Sequence, residues 1–215
     1  LGLLHAQDGA IMKVRFTATR DEQRGVDFAE IRSNLVEAGA HTVKFQSYSL
    51  ERLNPKDAQV DWLKKSWLGM ASHEKLIKAC ERHKVNFLST PFDADRLQML
   101  RDLGLTRFKI ASSESSNKWW MLVRAIDEWL ISYPWGCTDL WTMQAAYTRL
   151  TAIPLYPTPL ECVGTAVLLD GWSDHGEGLA ACYRALSLGA KVLEVHVCLP
   201  GRSRVMPFDK TPTEL

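Results

Sequence analysis

The sequence predicts an α/β protein folded as a (β/α)8 TIM barrel, with some helices shortened or incomplete. Short apolar runs alternate with amphipathic stretches along nearly the whole chain, the pattern of parallel strands joined by helices. Eight such runs can be counted, and a length of 215 residues suits one compact domain spanning 1–215. Gly39, Gly104 and Gly189 each follow apolar residues at helical spacing and act as helix stops.

The first strand is expected near residues 1–5, an apolar run that reads as a strand already under way, as if residues before it were missing. Residues 10–25, with Arg15, Arg20 and Arg24, fit the pattern poorly where a tight turn into the first helix is expected. Phe28, Ile31 and Leu35 fall on one helical face, and Thr42 to Gln46 alternates as a strand. Leu76, Ile77 and Cys80 mark the next helix, and Val85 to Thr90 the next strand. Leu97, Leu100 and Leu103 form another helix face before the strand Arg107 to Ala111. Further on, Trp120 to Ile126 reads as a helix, and Trp129 to Ser132 and Ala152 to Tyr156 as strands. Gly171 to Ser173 is a short strand. Leu179, Tyr183 and Leu186 give a helix, and Lys191 to Val197 the last strand. The spans from Ser132 to Ala152 and from Pro159 to Gly171 are short for a helix with two connections. Either helices have degraded there or the chain omits residues.

Composition excludes several classes. The chain is 46% hydrophobic and 24% charged, as expected of a globular protein with a core. Lys+Arg 26 against Asp+Glu 25 leaves a net charge of +1, so no global field recruits nucleic acid or an anionic membrane. No apolar run approaches the length of a membrane span. The five cysteines (Cys80, Cys137, Cys162, Cys182, Cys198) are odd in number and form no CxxC pair, which suits a reducing compartment. A basic leader with an apolar core is not visible at residues 1–5, and a cytoplasmic location is expected.

In a barrel strand alternate residues point inward, and chemistry gathers at the C-terminal mouth. If Val43, Phe45, Phe108 and Ile110 pack outward, Lys44, Gln46 and Lys109 point in. The two lysines then either snorkel to solvent at the strand edges or build an anion site. His175 ends the seventh strand, and His196 lies on the eighth with Glu194 on its face. The pair is either structural or the protein half of a divalent-metal site, with positions left for water and substrate. Glu114 is placed either for proton transfer or as a charge at a helix N-terminus. His41, His73 and His83 read as surface residues, and Trp119 and Trp120 as packing rather than a sugar platform.

The runs AGAHTVKFQSY (38–48), FLSTPFDADRLQMLRDLG (87–104), FKIASSES (108–115), YPTP (156–159), WSDH (172–175) and ALSLGAKVLEVHVCLPG (185–201) together resemble the sialic acid synthase family. That family includes N-acetylneuraminate, legionaminate and pseudaminate synthases and the spore-coat polysaccharide protein. The resemblance implies a transferase of polysaccharide biosynthesis that condenses phosphoenolpyruvate with an N-acyl amino sugar aldehyde such as N-acetylmannosamine. The products would be a nine-carbon 2-keto acid and phosphate. It implies a divalent metal at His175 and His196, Mn2+ first, with Mg2+ or Co2+ as alternatives. Lys44, Thr90, Lys109, Ser112, Ser132 and Ser173 match positions that hold phosphoenolpyruvate. Glu114 matches the proposed general acid/base, Gln46 sits in the matched VKFQ run, and Tyr156 matches a tyrosine of the substrate pocket. A homodimer is the family's usual assembly.

The matches concern the barrel alone, and the family's C-terminal antifreeze-like domain is expected to be absent. Where the family carries a sugar-binding glutamate on the first strand, the equivalent lies near Gly2. Its asparagine two residues before the tyrosine is Pro154, and its Pro-Gly-Pro-Asp turn reads Pro200-Gly201-Arg202-Ser203, without the acid. The second expectation is therefore a non-catalytic, ligand-binding relative with a degraded sugar site.

Overall fold

A computed structural model of the protein describes residues 4–5, 11–12, 15–20, 39–117, 119–120, 126–134, 147–153, 155–165, 170–198, 208–211 and 214. Its strands are β1 (Leu4–His5), β2 (Ile11–Met12), β3 (Arg15–Arg20), β4 (Thr42–Ser47), β5 (Asn86–Pro91), β6 (Arg107–Ile110), β7 (Glu128–Pro134), β8 (Tyr147–Ala152), β9 (Gly171–Asp174) and β10 (Val192–Val197). Its helices are α1 (Val60–Ser66), α2 (Met70–Arg82), α3 (Ala94–Asp102), α4 (Cys162–Thr165) and α5 (Ala180–Ser187).

Eight strands form one sheet in the order β5-β4-β3-β10-β9-β8-β7-β6, and every ladder in it is parallel. The sheet is curled, because β5 and β6, the two ends of that order, lie against one another. Parallel neighbours that follow in sequence need crossovers on the outer face, which α2, α3 and α5 provide.

Two expected strands move. Of the run 1–5, Leu4–His5 do not join the eight-stranded sheet; as β1 they pair with β2 in a separate antiparallel ladder. The strand between β10 and β4 is β3, in register at Thr17 with both Glu194 and Thr42. Its Phe16, Thr17 and Thr19 favour extended backbone, and the three arginines of 10–25 disguised that pattern. Likewise β8 runs over Tyr147–Ala152 rather than Ala152 to Tyr156. Thr148 and Thr151 favour a strand, whereas Pro154 and Pro157 cannot donate to a ladder. The helix expected at Phe28–Leu35 and most of that expected within Trp120–Ile126 fall on 21–38 and 121–125, outside the described residues.

The helices dock by the spacing the sequence shows. On α2, His73, Leu76, Ala79 and Cys80 are buried; on α5, Ala181, Cys182, Ala185 and Leu186 are. Tyr183, expected on that face, is exposed. Asp93 caps α3 by accepting from the Arg96 N–H at 2.9 Å, and it also accepts from the Ser49 N–H at 3.1 Å, tying the loop after β4 to the helix. Gly39, Gly104 and Gly189 have φ of 88°, 82° and 96°, the left-handed conformation that ends a helix at little cost only for glycine. Gly171 is needed for close approach: a Cβ there would meet the Val192 carbonyl oxygen at 2.2 Å.

The core has three parts. One outer cluster joins Val43, Phe45, Leu76, Trp172, Leu193 and Val195. A second joins Leu97, Leu100, Phe108, Ile110, Trp120 and Trp129, so Trp120 is packing, as expected. The third lies inside the curl, where Leu88, Leu130, Leu150 and Val192 meet. His73, read as a surface residue, is fully buried, with Nδ1 3.0 Å from the Gly69 carbonyl; burial lowers its pKa below the ordinary value. The described cysteines Cys80, Cys162, Cys182 and Cys198 are free thiols. Among the described residues no helix is long and apolar enough to cross a membrane.

Leu100 is fully enclosed between α3 and the strands. Leu100→Ala should lower unfolding free energy by about 2–5 kcal/mol in denaturant titrations, through lost transfer energy and a residual cavity; a loss below about 1 kcal/mol would mean this cluster is not tightly packed.

Candidate active site

Three strands each send one ionisable group into the curl. Lys44 on β4 lies with Nζ 2.8 Å from Glu194 Oε1, and Lys109 on β6 with Nζ 2.5 Å from Glu194 Oε2. Their residues are 5%, 2% and 1% exposed. The alternation of the strands puts them there. Val43 and Phe45, Phe108 and Ile110, and Leu193 and Val195 occupy the outer clusters, so the residue between each pair turns inward. Lys44 Nζ also donates to Thr90 Oγ1 at 3.4 Å. On β5, β7 and β10 the inward polar residue (Thr90, Ser132, Glu194) follows two positions after an apolar one (Leu88, Leu130, Val192). A dry layer therefore lies on the N-terminal side of the polar one.

Two ammonium groups around one carboxylate leave the cluster with an excess positive charge. Burial alone would raise the Glu194 pKa, but Lys109 and Lys44 outweigh it and hold the carboxyl well below the ordinary range. Burial lowers Lys109 to about 8, with Lys44 pushing the same way and Glu194 only partly restoring it.

The histidines meet at the C-terminal side. His175 follows β9, and its ring centroid lies 5.0 Å from that of His196 on β10. Tyr156 packs edge-on to His175 at 4.7 Å, and Phe208 stands nearly perpendicular to both imidazoles, at 5.3 Å and 5.0 Å. Burial, followed by the neighbouring His196, pushes the His175 pKa well below 6.5, so its imidazole is neutral and available as a donor. Nδ1 of His175 and Oγ of Ser132 are buried and make no hydrogen bond among the described residues, the condition of atoms that await a ligand.

The remaining candidates divide. Gln46 and Glu114 line one cavity of about 330 Å3 with Tyr48, Arg52, Phe92 and Asp93. Glu114 ends a 3-10 turn over Ser112–Glu114; the helix expected after it falls mainly on 121–125, outside the described residues. Ser112 engages Ser115 through its carbonyl, and its side chain is not brought to the lysines by any described contact. Ser173 is buried on β9, in register with Glu194. Tyr156 is exposed on its outer side.

Sequence reasoning missed four neighbours. Glu194 was visible only as a face-mate of His196, because its partners come from distant strands. Asp174, Phe208 and Lys210 gave no signal: the last two lie beyond the final strand, in a segment whose placement only tertiary contacts decide. Asp209, beyond β10, is a buried carboxylate; the turn Pro200 to Ser203, read as lacking the family's acid, lies outside the described residues.

The model of the NeuB family matches residues 33–154 and 136–205. The chain belongs to the NeuB family. An N,N'-diacetyllegionaminic acid synthase of Campylobacter jejuni is 29% identical to this NeuB chain over 200 residues, covering 76% of it and 60% of the relative. The chain spans between 55% and 61% of the length of the curated relatives it matches. Among solved structures, an N-acetylneuraminic acid synthetase of Leptospira borgpetersenii in complex with citrate has a TM-score of 0.75 at 22% identity, covering 94% of this chain and 80% of that one. A spore coat polysaccharide biosynthesis protein of Chromobacterium violaceum has a TM-score of 0.78 at 19% identity, covering 94% and 71%. These two likenesses carry the fold.

His175 and His196 fit a divalent metal as donors, being adjacent, one neutral with an unsatisfied buried nitrogen. No group of three His, Cys, Asp or Glu ligands forms among the described residues, so the other positions would fall to water and substrate.

Glu194→Gln should cost about 3–5 kcal/mol in unfolding free energy near neutral pH, because it leaves two buried ammonium groups facing each other. The wild-type contribution is present above the ordinary carboxyl pKa and is lost as pH falls through the depressed one; the variant should lack that part of the acid limb in pH-dependent melts. An unchanged acid limb would remove Glu194 as the counter-ion.

Proposed function

We propose that this chain is the catalytic barrel of a transferase that condenses phosphoenolpyruvate with an N-acyl amino sugar aldehyde of the N-acetylmannosamine type, giving a nine-carbon 2-keto sugar acid and phosphate. The observation that carries this reading is the buried Lys44–Glu194–Lys109 cluster, with its excess positive charge on the same inner face as the histidine pair. Membership of the NeuB family and the likeness to a legionaminic acid synthase support it over a non-catalytic ligand-binding relative. We take the curled sheet as a closed (β/α)8 barrel forming one domain, working in the cytoplasm and assembling as a homodimer.

On this reading Lys44 and Lys109 hold the phosphate and carboxylate of phosphoenolpyruvate, whose negative charge the cluster's one surplus cation offsets in part. Thr90, Ser112, Ser132 and Ser173 orient the ester through their hydroxyls. Gln46 and Tyr156 line the acceptor's approach. C3 of the enol forms a bond to the aldehyde carbon, and the aldehyde oxygen takes a proton. Water adds at C2, losing its proton to Glu114, and the tetrahedral carbon expels phosphate as the ketone forms. A divalent metal held by His175 and His196, Mn2+ before Mg2+ or Co2+, would polarise the aldehyde oxygen.

Calorimetric titration of phosphoenolpyruvate into metal-free and Mn2+-loaded protein tests the anion site. Saturable binding is expected, with Lys109→Ala weakening it roughly 10- to 100-fold, as for a lost charge-assisted hydrogen bond. Absence of binding to either form would end the proposal. The pH profile adds an independent check. Lys109 attracts an anion only while protonated, so affinity should fall as pH rises past about 8, the value to which burial lowers it. Affinity that stays flat through pH 10, about two units past that value, would take Lys109 out of the site.

A further inference from the structure

One lysine ties the two histidine-bearing segments together. Lys210 is 1% exposed, and its Nζ donates to Asp174 Oδ2 at 2.5 Å, to the Gly176 carbonyl at 2.6 Å and to the Phe208 carbonyl at 3.0 Å. These acceptors use all three ammonium hydrogens. Asp174 and Gly176 are the residues on either side of His175. The main chain of the same lysine reaches the other histidine: its N–H donates to the His196 carbonyl at 2.9 Å, and its carbonyl accepts from the Cys198 N–H at 2.9 Å. Lys210 thus forms a parallel bridge beside Val197 at the end of β10. Asp174 is held in turn, since its Oδ1 accepts from Trp172 Nε1 at 3.0 Å and from the Gly176 N–H at 3.3 Å.

A buried ion pair by itself adds little net stability, because desolvation offsets attraction. What this one adds is connection. The ends of β9 and β10 carry the two imidazoles; the parallel ladder, last paired at Val195 and Asp174, sets the spacing of the strands, and Lys210 adds a side-chain tie just beyond it. The anchored segment also brings Phe208 against both rings. We infer that Lys210 is a positioning residue for the His175–His196 pair, fixing the spacing of the two imidazoles through Asp174 and the His196 main chain, with Phe208 as the wall it carries. This inference rests on the reading of the pair as a divalent-metal site.

The test titrates Mn2+ into the metal-free full chain, following free Mn2+ by electron paramagnetic resonance, and titrates phosphoenolpyruvate separately without metal. Lys210→Met should weaken Mn2+ binding about 10- to 100-fold, the range for loss of a partner that orients a ligand. Phosphoenolpyruvate binding to the metal-free protein should stay within about twofold, because among the described residues Lys210 bonds to neither Lys44 nor Lys109. Lys210→Met leaves Asp174 buried without its counter-charge, so the double variant Asp174→Asn/Lys210→Met, which removes both charges, is measured beside it and should show the same split. Unchanged Mn2+ affinity in either folded variant would overturn the positioning role and leave the synthase reading standing. Parallel loss of both ligands would overturn it as well, as a general structural effect. If the unaltered chain binds phosphoenolpyruvate but no Mn2+, the metal reading and this inference fall together; if it binds Mn2+ but no phosphoenolpyruvate, the proposed function falls and this inference is decided by the Mn2+ titrations alone.

Discussion

Two ammonium groups share one carboxylate inside the curled sheet, and none of the three has more than a few per cent of its surface in water. Moving such charges out of water costs several kcal/mol per ion, which only close pairing offsets. Most of the interior follows from meeting that cost. Three strands must present their inner faces at matching heights, Thr90 must accept from one of the lysines, and an apolar layer must close the side away from the mouth. The pairing is also incomplete by one charge. The surplus cation comes from arithmetic among three side chains rather than from the near-neutral chain as a whole.

The division between floor and mouth comes from strand alternation applied several times over. Leu88, Leu130 and Val192 precede Thr90, Ser132 and Glu194 by two residues each, so a single inward step along these strands changes the lining from apolar to polar. Gly171 takes part by having no side chain, which lets β9 approach β10 closely and sets Ser173 beside Glu194. The histidines then occupy the next step outward on β10 and just past β9.

How much of this was legible depended on how local each signal is. Lys44 and Lys109 could be read as inward-facing because their flanking residues are strongly apolar, and alternation needs only three or four residues to show itself. His175 and His196 could be paired because they end neighbouring strands. By contrast, β3 was hidden by arginines in a strand whose pairing with β10 and β4 is set by partners far along the chain. The sixth strand was placed too late because apolar Ile153 and Leu155 extended the run, while the prolines that stop a ladder were weighed only as a boundary. His73 was misjudged because a polar residue on a helix reads as exposed unless a local acceptor, here the Gly69 carbonyl, is known. Lys210 and Asp174 are 36 residues apart, and nothing in either neighbourhood announces the other.

The outer packing is split in a way that bears on how such a site can change. Lys44 and Glu194 stand on strands backed by one apolar cluster, and Lys109 on a strand backed by the other. The two cations that straddle the carboxylate are therefore supported by separate foundations. A volume change that settles one foundation tilts one cation and spares its twin, altering the gap between them without touching either. Evolutionary drift in buried residues that touch neither lysine can in this way reshape the charged cluster from outside it.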